Sequence, residues 1–224
     1  MRSSRHPRSP RRASRSRLLA SSVFVLAGVA ALIWGSSALQ GTPGSSASPS
    51  VAQATRVRGS ASAPITVEEY ADFQCPACAL FTRTAATELL ATYVAASQVK
   101  IVFHHFAFLG LESSWAAEAA ECAGEQGKFW DFHDRLYASQ AGENRGAFSR
   151  ENLKRMGDAL GLAPSFATCV DSGRYAQVVR ESTRAGQDRG VRATPTLFIG
   201  AQKIEGSPSF DELRAIIEPL LPRS

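Results

Sequence analysis

Cysteine is scarce in this chain of 224 residues, and the placement of its four copies excludes a closed zinc site. Cys75 and Cys78 form one closely spaced pair. A structural zinc ion needs a second such pair of cysteine or histidine ligands. The adjacent His104 and His105 do not supply it, because neighbours at the end of a predicted strand point to opposite faces. We therefore expect no metal site, and interpret the cysteine pair as a redox dithiol or a structural disulfide.

Acidic residues are absent from the first 17 positions, which carry seven arginines. The formal net charge of +5 is concentrated in this arm, and without its seven charges the rest of the chain has a net charge of −2. A basic face for nucleic acid is therefore not expected on the remainder. We interpret the arm as a topology signal.

Charge of either sign is absent between Arg17 and Arg56. Residues 18–39 are mostly apolar and about long enough to cross a bilayer. Because positive charge before such a segment stays in the cytoplasm, the following chain is predicted outside. Ser36-Ser37-Ala38 has the form of a signal-peptidase site, so the segment is either a membrane anchor, which we favour, or a signal cleaved near Ala38. Cysteine does not follow it closely, which excludes a lipoprotein.

These patterns divide the chain into four parts. They are a basic cytoplasmic arm (1–17), a transmembrane anchor or signal segment (18–39), a flexible linker rich in Ser, Gly, Pro and Ala (40–58), and a folded domain (59–224). The expected location is the cell envelope, with the domain on the outer face of the cytoplasmic membrane. Disulfides persist in that oxidising compartment.

The cysteine pair lies between a predicted strand, Ile65–Phe73, and a predicted helix from Pro76 to about Ala96. Cys75 then lies at the helix N-terminus, where free backbone N–H groups and the helix dipole stabilise a thiolate and lower its pKa. Pro76 suits the first turn because its missing N–H would have had no partner. Cys78 shares the apolar stripe of the helix, so we expect it to be the more buried, resolving thiol.

The polar residue Glu69 interrupts an otherwise apolar face of this first strand, where burial raises the pKa of a carboxyl. An exposed face is expected on the other side, with Glu68, Tyr70 and Asp72. A second strand, Val99–Phe106, follows the helix, and the intervening helix makes the two strands parallel.

The remaining elements of the domain follow from local patterns. Thr55–Val57 is a candidate edge strand, and Thr196–Ile199 turns back into Ile204-Glu205. An amphipathic helix over 207–221 closes the domain, with Pro208 in its first turn.

A helical insertion is predicted from about residue 113 to 190, with breaks near Gly127, 140–146, 161–164 and Gly173. Ser113 or Ser114 caps its first helix and Ser149 a later one. An aromatic-rich stripe is expected in the helical core rather than at a substrate site, and consists of Phe129, Trp130, Phe132, Leu136 and Tyr137.

The run from Glu69 to Cys78 resembles the active-site signature of DsbA-like thiol:disulfide oxidoreductases of the thioredoxin superfamily. Three further stretches agree in order, 99–103, 119–130 and 190–199, so that the resemblance covers residues 59–221. It implies an α/β thioredoxin fold, βαβ…ββα, that contains the helical insertion and is preceded by the single N-terminal transmembrane or signal helix.

The resemblance also implies the roles of the site residues. Cys75 and Cys78 form the redox-active disulfide, and Glu69 matches the acid that shuttles protons for the second cysteine. Thr194 and Pro195 match a cis-proline element whose backbone edge binds an extended substrate segment. Pro76 and Ala77 are expected to join these two residues in contacting substrate.

A second disulfide is present in some family members at positions that match Cys122 and Cys169. We favour this structural bridge over two buried free thiols that act as small hydrophobes.

The implied activity is the introduction of disulfides into reduced exported polypeptides, without a cofactor. A membrane re-oxidase similar to DsbB or to a vitamin-K-epoxide-reductase-like protein would restore the disulfide, and the protein is expected to be a monomer. Ala77 adds no hydrogen bond or charge that helps the thiolate, so we expect an oxidant weaker than the strongest DsbA. The alternatives are a reductase or isomerase of the same fold, and a membrane-tethered metal-binding chaperone that uses the two cysteines and a histidine.

Overall fold

The computed structural model describes residues 55–222. The predicted basic arm, the anchor or signal segment and nearly all of the predicted linker lie outside the described residues. Within 55–222, every helix is too short or too polar to cross a membrane.

A five-stranded mixed sheet forms the centre of the fold, with the strand order β1-β3-β2-β4-β5. Its strands are β1 (Val57–Arg58), β2 (Ile65–Ala71), β3 (Val99–His105), β4 (Thr196–Ile199) and β5 (Gln202–Glu205). β2 and β3 are parallel, and the other neighbouring pairs are antiparallel. The predicted parallel pair and closing hairpin are confirmed. The edge strand lies at 57–58, so the sheet begins inside the segment predicted as linker.

The helices of the described part follow the predicted order. They are α1 (Pro76–Arg83), α2 (Ala85–Leu89), α3 (Leu111–Gly124), α4 (Phe129–Ala138), α5 (Arg150–Ala159), α6 (Ser165–Ser172), α7 (Ala176–Asp188) and α8 (Phe210–Ile217). The single helix predicted over 76–96 is instead broken at Thr84, whose φ and ψ are −117° and −100°. The Thr84 hydroxyl donates to the Leu80 carbonyl at 2.8 Å, and this type of local bond competes with regular helix. A π-helical turn, Leu90–Val94, follows α2.

One face of the sheet packs against α1, α2 and α8. The central side chains of this core are at most 1% exposed and include Phe81, Leu89, Leu197, Leu213 and Ile217. Ser209 and Glu212 form a capping box, so α8 begins at Phe210. The prediction that Pro208 lies in its first turn was wrong, because the cap follows the proline.

The helical insertion packs its own core around the end of the sheet. Of the predicted aromatic stripe, Phe129, Phe132, Leu136 and Tyr137 are at most 2% exposed, which confirms their core role, and Trp130 is half-buried. A disulfide joins Cys122 of α3 to Cys169 of α6.

The helix caps of the insertion were predicted with mixed success. Ser149 caps α5 by accepting from the Asn152 N–H at 3.4 Å, as predicted. α3 instead begins at Leu111 after Gly110, so Ser113 and Ser114 lie inside the helix. The Ser113 hydroxyl donates a hydrogen bond to the Asp72 carboxylate instead of capping the helix.

The second face of β2 is covered by α7, which contradicts its predicted exposure. Tyr70 on this face is 4% exposed. Asp72, just beyond the end of β2, is 1% exposed and is buried by the loop after β3 and by Ser113 of α3. Gly186 of α7 permits this contact, because a Cβ there would lie only 2.7 Å from the Phe106 ring and 2.9 Å from that of Tyr70. Glu68 is half-buried and pairs with Arg189.

The two histidines at the end of β3 point to opposite faces, as predicted, but neither is a free rim residue. His104 stacks on Tyr70 with ring centroids 4.5 Å apart and lies 3.1 Å from a Glu68 oxygen. His105 is 1% exposed, and its Nε2 is hydrogen-bonded to Glu121 at 2.7 Å. His105 is the last residue of β3, as predicted for a strand end, and α3 supplies its buried partner.

Candidate active site

The Cys75–Cys78 pair lies where β2 leads into α1. Cys75 is the N-cap of α1 and Pro76 is its first residue. Both cysteines are free thiols in this structure. Cys75 is 8% exposed and Cys78 is fully buried, which is the predicted order of burial.

The two sulfurs differ sharply in acidity. The pKa of Cys75 is lowered to about 6, chiefly by a hydrogen bond from the Cys78 thiol, then by the Thr194 side chain and the backbone N–H groups of Cys78 and Ala77, against the opposing effect of burial. The pKa of Cys78 is raised well above its usual range by burial, by its hydrogen bond to Cys75 and by the charge there. The helix-start amides thus contribute as predicted, but the partner thiol contributes more.

The Thr194–Pro195 peptide bond is cis and lies against the reactive sulfur. The Cys75 thiol donates to the Thr194 carbonyl at 3.2 Å. The Thr194 hydroxyl is buried, and among residues 55–222 it has no hydrogen-bond partner. Once Cys75 loses its proton the sulfur can only accept, and this hydroxyl is then a donor available to the thiolate.

The buried carboxyl of Glu69 interacts electrostatically with Cys78. It is 3% exposed, and its Oε1 has no hydrogen-bond partner in the part of the chain that the structure describes. Burial, and then the charge of Asp134, raise its pKa to about 8. Charge on Glu69 in turn raises the pKa of Cys78. Glu69 is therefore mostly protonated at neutral pH and is electrostatically coupled to the buried thiol.

Asp72 is a site residue that the sequence reasoning missed. Its Oδ1 accepts from the Gln74 N–H at 2.8 Å and from the Ser113 hydroxyl at 2.6 Å. Its Oδ2 accepts from the N–H groups of Phe108 and Leu109 at 2.9 and 3.2 Å. One carboxylate thus fixes the loop before Cys75 to the loop after β3. An aspartate two residues before a turn amide is the local signal that could have found it.

Gln140 is a second residue that was missed. Its Nε2 donates to the carbonyl oxygens of Phe73 and Cys75, at 2.7 and 3.0 Å. In the same connection between α4 and α5, the Asn144 N–H donates to Gln74 Oε1 at 2.6 Å. The sequence marked this segment only as a helix break, yet it holds the cysteine loop from outside the sheet.

The reactivity of Cys75 should report its environment directly. We expect its alkylation by iodoacetamide to rise with pH around a midpoint near 6. Thr194→Val should raise this midpoint, because it removes the hydroxyl donor but keeps the shape of the side chain. Thr66→Val, at the opposite end of β2, is the matched control and should leave it unchanged. A wild-type midpoint near that of free cysteine would contradict the site as described.

A thioredoxin-type sheet, a Cys-x-x-Cys pair at its first helix and an adjacent cis-proline together define the class of thiol:disulfide oxidoreductases. The family model described as Thioredoxin matches residues 51–219. The chain belongs to this family, and within it to the DsbA-like thiol:disulfide oxidoreductases. The resemblance seen in the sequence is thereby confirmed.

Two kinds of similar protein align with most of the chain. Disulfide bond formation protein D of Bacillus subtilis is 26% identical over 189 residues, which are 80% of this chain and 82% of that protein. The crystal structure of oxidised BdbD from Bacillus subtilis has a TM-score of 0.70 at 26% identity and covers 77% of this chain and 95% of that one. Wolbachia pipientis α-DsbA1, at 21% identity and a TM-score of 0.66, has the same fold, with 74% of this chain and 89% of that chain covered.

A different relative is matched over only part of its length. The Na(+)/H(+) antiporter NhaA 3 of Salinispora tropica is 36% identical over 164 residues, which are 72% of this chain but 24% of the antiporter. The chain thus spans about a quarter of that relative.

Proposed function

We propose that this protein introduces disulfides into reduced exported polypeptides by dithiol–disulfide exchange at Cys75 and Cys78. The observation that carries the proposal is the asymmetry of the two sulfurs: the outer one has a pKa of about 6, and the pKa of the buried one is raised. Stabilising the Cys75 thiolate stabilises the reduced enzyme, which makes its disulfide the stronger oxidant.

The proposed cycle begins with the Cys75–Cys78 disulfide. A substrate thiolate attacks the Cys75 sulfur, the bond to Cys78 breaks with its electron pair on the Cys78 sulfur, and Glu69 donates a proton to that thiolate. A second substrate thiolate then attacks the substrate sulfur of the mixed disulfide, and Cys75 leaves as a stabilised thiolate. Two electrons pass to the enzyme and one disulfide forms in the substrate.

Substrate would bind across the surface formed by Thr194, Pro195, Pro76 and Ala77. The Thr194 carbonyl lies 3.2 Å from the reactive sulfur, so an extended segment along this edge would bring its own cysteine to Cys75. Phe108, whose backbone is held by Asp72, is 47% exposed, and an apolar side chain there would favour unfolded polypeptides.

The rest of the cycle belongs to the cell envelope. A membrane partner similar to DsbB or to a vitamin-K-epoxide-reductase-like protein would re-oxidise a monomeric enzyme. We place the domain on the outer face of the cytoplasmic membrane, anchored by residues 18–39 or released by cleavage near Ala38. The Cys122–Cys169 disulfide supports an oxidising compartment.

The test of this function is the reduction potential of the Cys75–Cys78 pair, measured against glutathione buffers and combined with oxidative refolding of a reduced test protein. We expect a potential between those of thioredoxin and DsbA, which are about −270 and about −120 mV. A value at or below that of thioredoxin would instead identify a reductase. Stoichiometric metal binding with no catalysis would identify the metal-binding chaperone.

The lowered pKa of Cys75 also predicts how pH changes the stability of the reduced form relative to the disulfide form. The folded pKa of Cys75, about 6, lies below its ordinary value of 9.0. The lowered pKa stabilises the folded reduced form. The stabilisation is complete above pH 9 and is lost as the pH falls through 6. We therefore expect the unfolding free energy of the reduced form, relative to the disulfide form, to fall between pH 9 and pH 5. Urea unfolding of both forms measures this, and a difference that does not vary with pH would contradict it.

A further inference from the structure

A cavity of about 480 Å³ reaches from the surface between α1, α2 and α4 to the buried Glu69. A water molecule takes up about 30 Å³ of liquid, so the cavity has room for several. Arg83 and Thr87 border it at exposed positions, and its inner wall includes Glu69, His133 and Tyr137.

Two polar atoms of residues in this wall have no hydrogen-bond partner in the described part of the chain. They are Glu69 Oε1 and His133 Nε2, and each of these residues is 3% exposed. Buried polar atoms without a protein partner are commonly satisfied by ordered water, provided that the site is roomy. The cavity has the room, and its wall has the polar atoms, that ordered water requires.

His133 continues from this inner wall toward the surface. Its Nδ1 is hydrogen-bonded to Asp134 Oδ1 at 2.8 Å. The Asp134 side chain is 47% exposed and lies 3.4 Å from Arg58 of β1. The wall therefore carries polar groups from the buried carboxyl outward to an ion pair at the solvent.

We propose that this cavity, with His133 and Asp134 in its wall, is the route by which Glu69 exchanges its proton with solvent, and that Asp134 is the positioning residue that holds the proton on Glu69. The inference rests on the proposed function, because it serves the protonation of Cys78. Asp134, a half-exposed side chain that contacts neither sulfur, would thereby influence the protonation of Cys78.

The proton balance of the step is simple. When the Cys75–Cys78 bond breaks, its electron pair goes to the Cys78 sulfur, the Glu69 carboxyl gives that sulfur a proton, and the carboxylate regains one from water in the cavity. Bulk solvent supplies that water, and re-oxidation reverses the transfer. No further oxidant or reductant takes part in the proton exchange.

The charged and titratable groups around Glu69 favour this assignment. They are Arg58 on β1, Cys75 at the start of α1, Cys78 and Arg83 on α1, and His133, Asp134 and Tyr137 on α4. Of these, the Asp134 charge is the one that raises the pKa of Glu69, in addition to burial. Burial lowers the pKa of His133, so its ring is neutral and can both accept and donate a proton.

Asp134→Asn tests the positioning role. The amide keeps an oxygen that accepts from His133 but removes the charge, so the pKa of Glu69 should fall from about 8 toward its ordinary value. Carbon-13 NMR of glutamate-labelled full-length protein reads this pKa directly. Asp131→Asn on the same helix, which removes an exposed partner of Lys128, is the matched control and should leave it unchanged. An unchanged Glu69 titration in Asp134→Asn would overturn the role of Asp134.

Ala86→Leu tests the route, because it fills the cavity from a buried wall position. Proton transfer by a positioned group contributes about 10²–10⁴-fold. We expect repeated turnover at pH 7, in which the enzyme oxidises dithiothreitol and is re-oxidised by glutathione disulfide, to slow by about 10-fold or more. Ala91→Leu, exposed on the following turn, should have no effect.

The same experiment in a Glu69→Gln background separates a route from a packing defect. If the cavity works through Glu69, Ala86→Leu should cause no further slowing there, whereas equal slowing in both backgrounds would overturn the proposal. A protein that oxidises no test substrate would refute the proposed function alone. The NMR titration and the small-thiol kinetics would still decide the proton route.

Discussion

Replacing Cys75 with serine should abolish the oxidation of a reduced test protein, with a loss of at least about a thousandfold. The Cys75 sulfur is the one that reaches the surface and the one with a pKa near 6. A serine hydroxyl cannot form a mixed disulfide, and the remaining Cys78 is fully buried with its pKa raised. Oxidative refolding, followed by the return of activity of the test protein, measures the loss.

The companion variant Cys78→Ala should behave differently. It keeps the Cys75 thiolate, which can attack a disulfide of the substrate, but removes the Cys78 thiol that could displace the captured chain. Mixed disulfides between Cys75 and substrate should therefore accumulate. Gel electrophoresis without reductant, followed by peptide mapping, identifies the linked sulfur and the captured polypeptides. If Cys75→Ser instead formed adducts at Cys78, as fast as Cys78→Ala forms them at Cys75, the assigned roles of the two sulfurs would be reversed.

Removing the second disulfide should cause the largest loss of stability. Cys122 and Cys169 are separated by 47 residues and tie α3 to α6. Opening a loop of that length releases chain entropy in the unfolded state equivalent to about 4 kcal/mol at 25 °C. We expect Cys122→Ala/Cys169→Ala to lower the free energy of unfolding by about this amount. Urea denaturation followed by circular dichroism gives the value.

The activity of the same double variant tests what the bridge is for. If its role is structural, the folded variant should keep the alkylation midpoint of Cys75 and its exchange activity at a temperature where it remains folded. Cys75→Ala/Cys78→Ala is the control, since it should lose activity and keep most of its stability. A stable double variant that cannot be re-oxidised would instead show that Cys122 and Cys169 relay electrons.

The elements that position the site could be predicted because their signals are local. Cys75 at a helix start, the parallel β2–β3 pair and the breaks between the insertion helices all depend on residues close together in sequence. The burial of Glu69 followed from strand alternation. Alternation identifies the two faces of a strand but not whether the second face is covered, and for this reason Asp72 was expected in solvent.

The missed contacts depend on segments that meet only in the folded protein. Gln140 lies 65 residues from Cys75 in sequence, and His105 finds its buried partner on α3. The break at Thr84 is of another kind, because threonine is common inside helices and its bond to Leu80 is one of several that it could form. The larger share of the Cys78 thiol in lowering the pKa of Cys75 was missed because it depends on the relative placement of two side chains.

The double hydrogen bond from Gln140 means that the helical insertion and the cysteine loop are not separable modules. The carbonyl oxygens it binds belong to Phe73 and Cys75, on either side of the turn that sets the attacking sulfur. A shortened protein made by deleting residues between β3 and β4 would keep the sheet and both cysteines. It would leave the Phe73 oxygen to water and the Cys75 oxygen with only its bond from the Ala79 N–H. Any redesign toward a minimal thioredoxin would therefore have to supply a new donor for that turn.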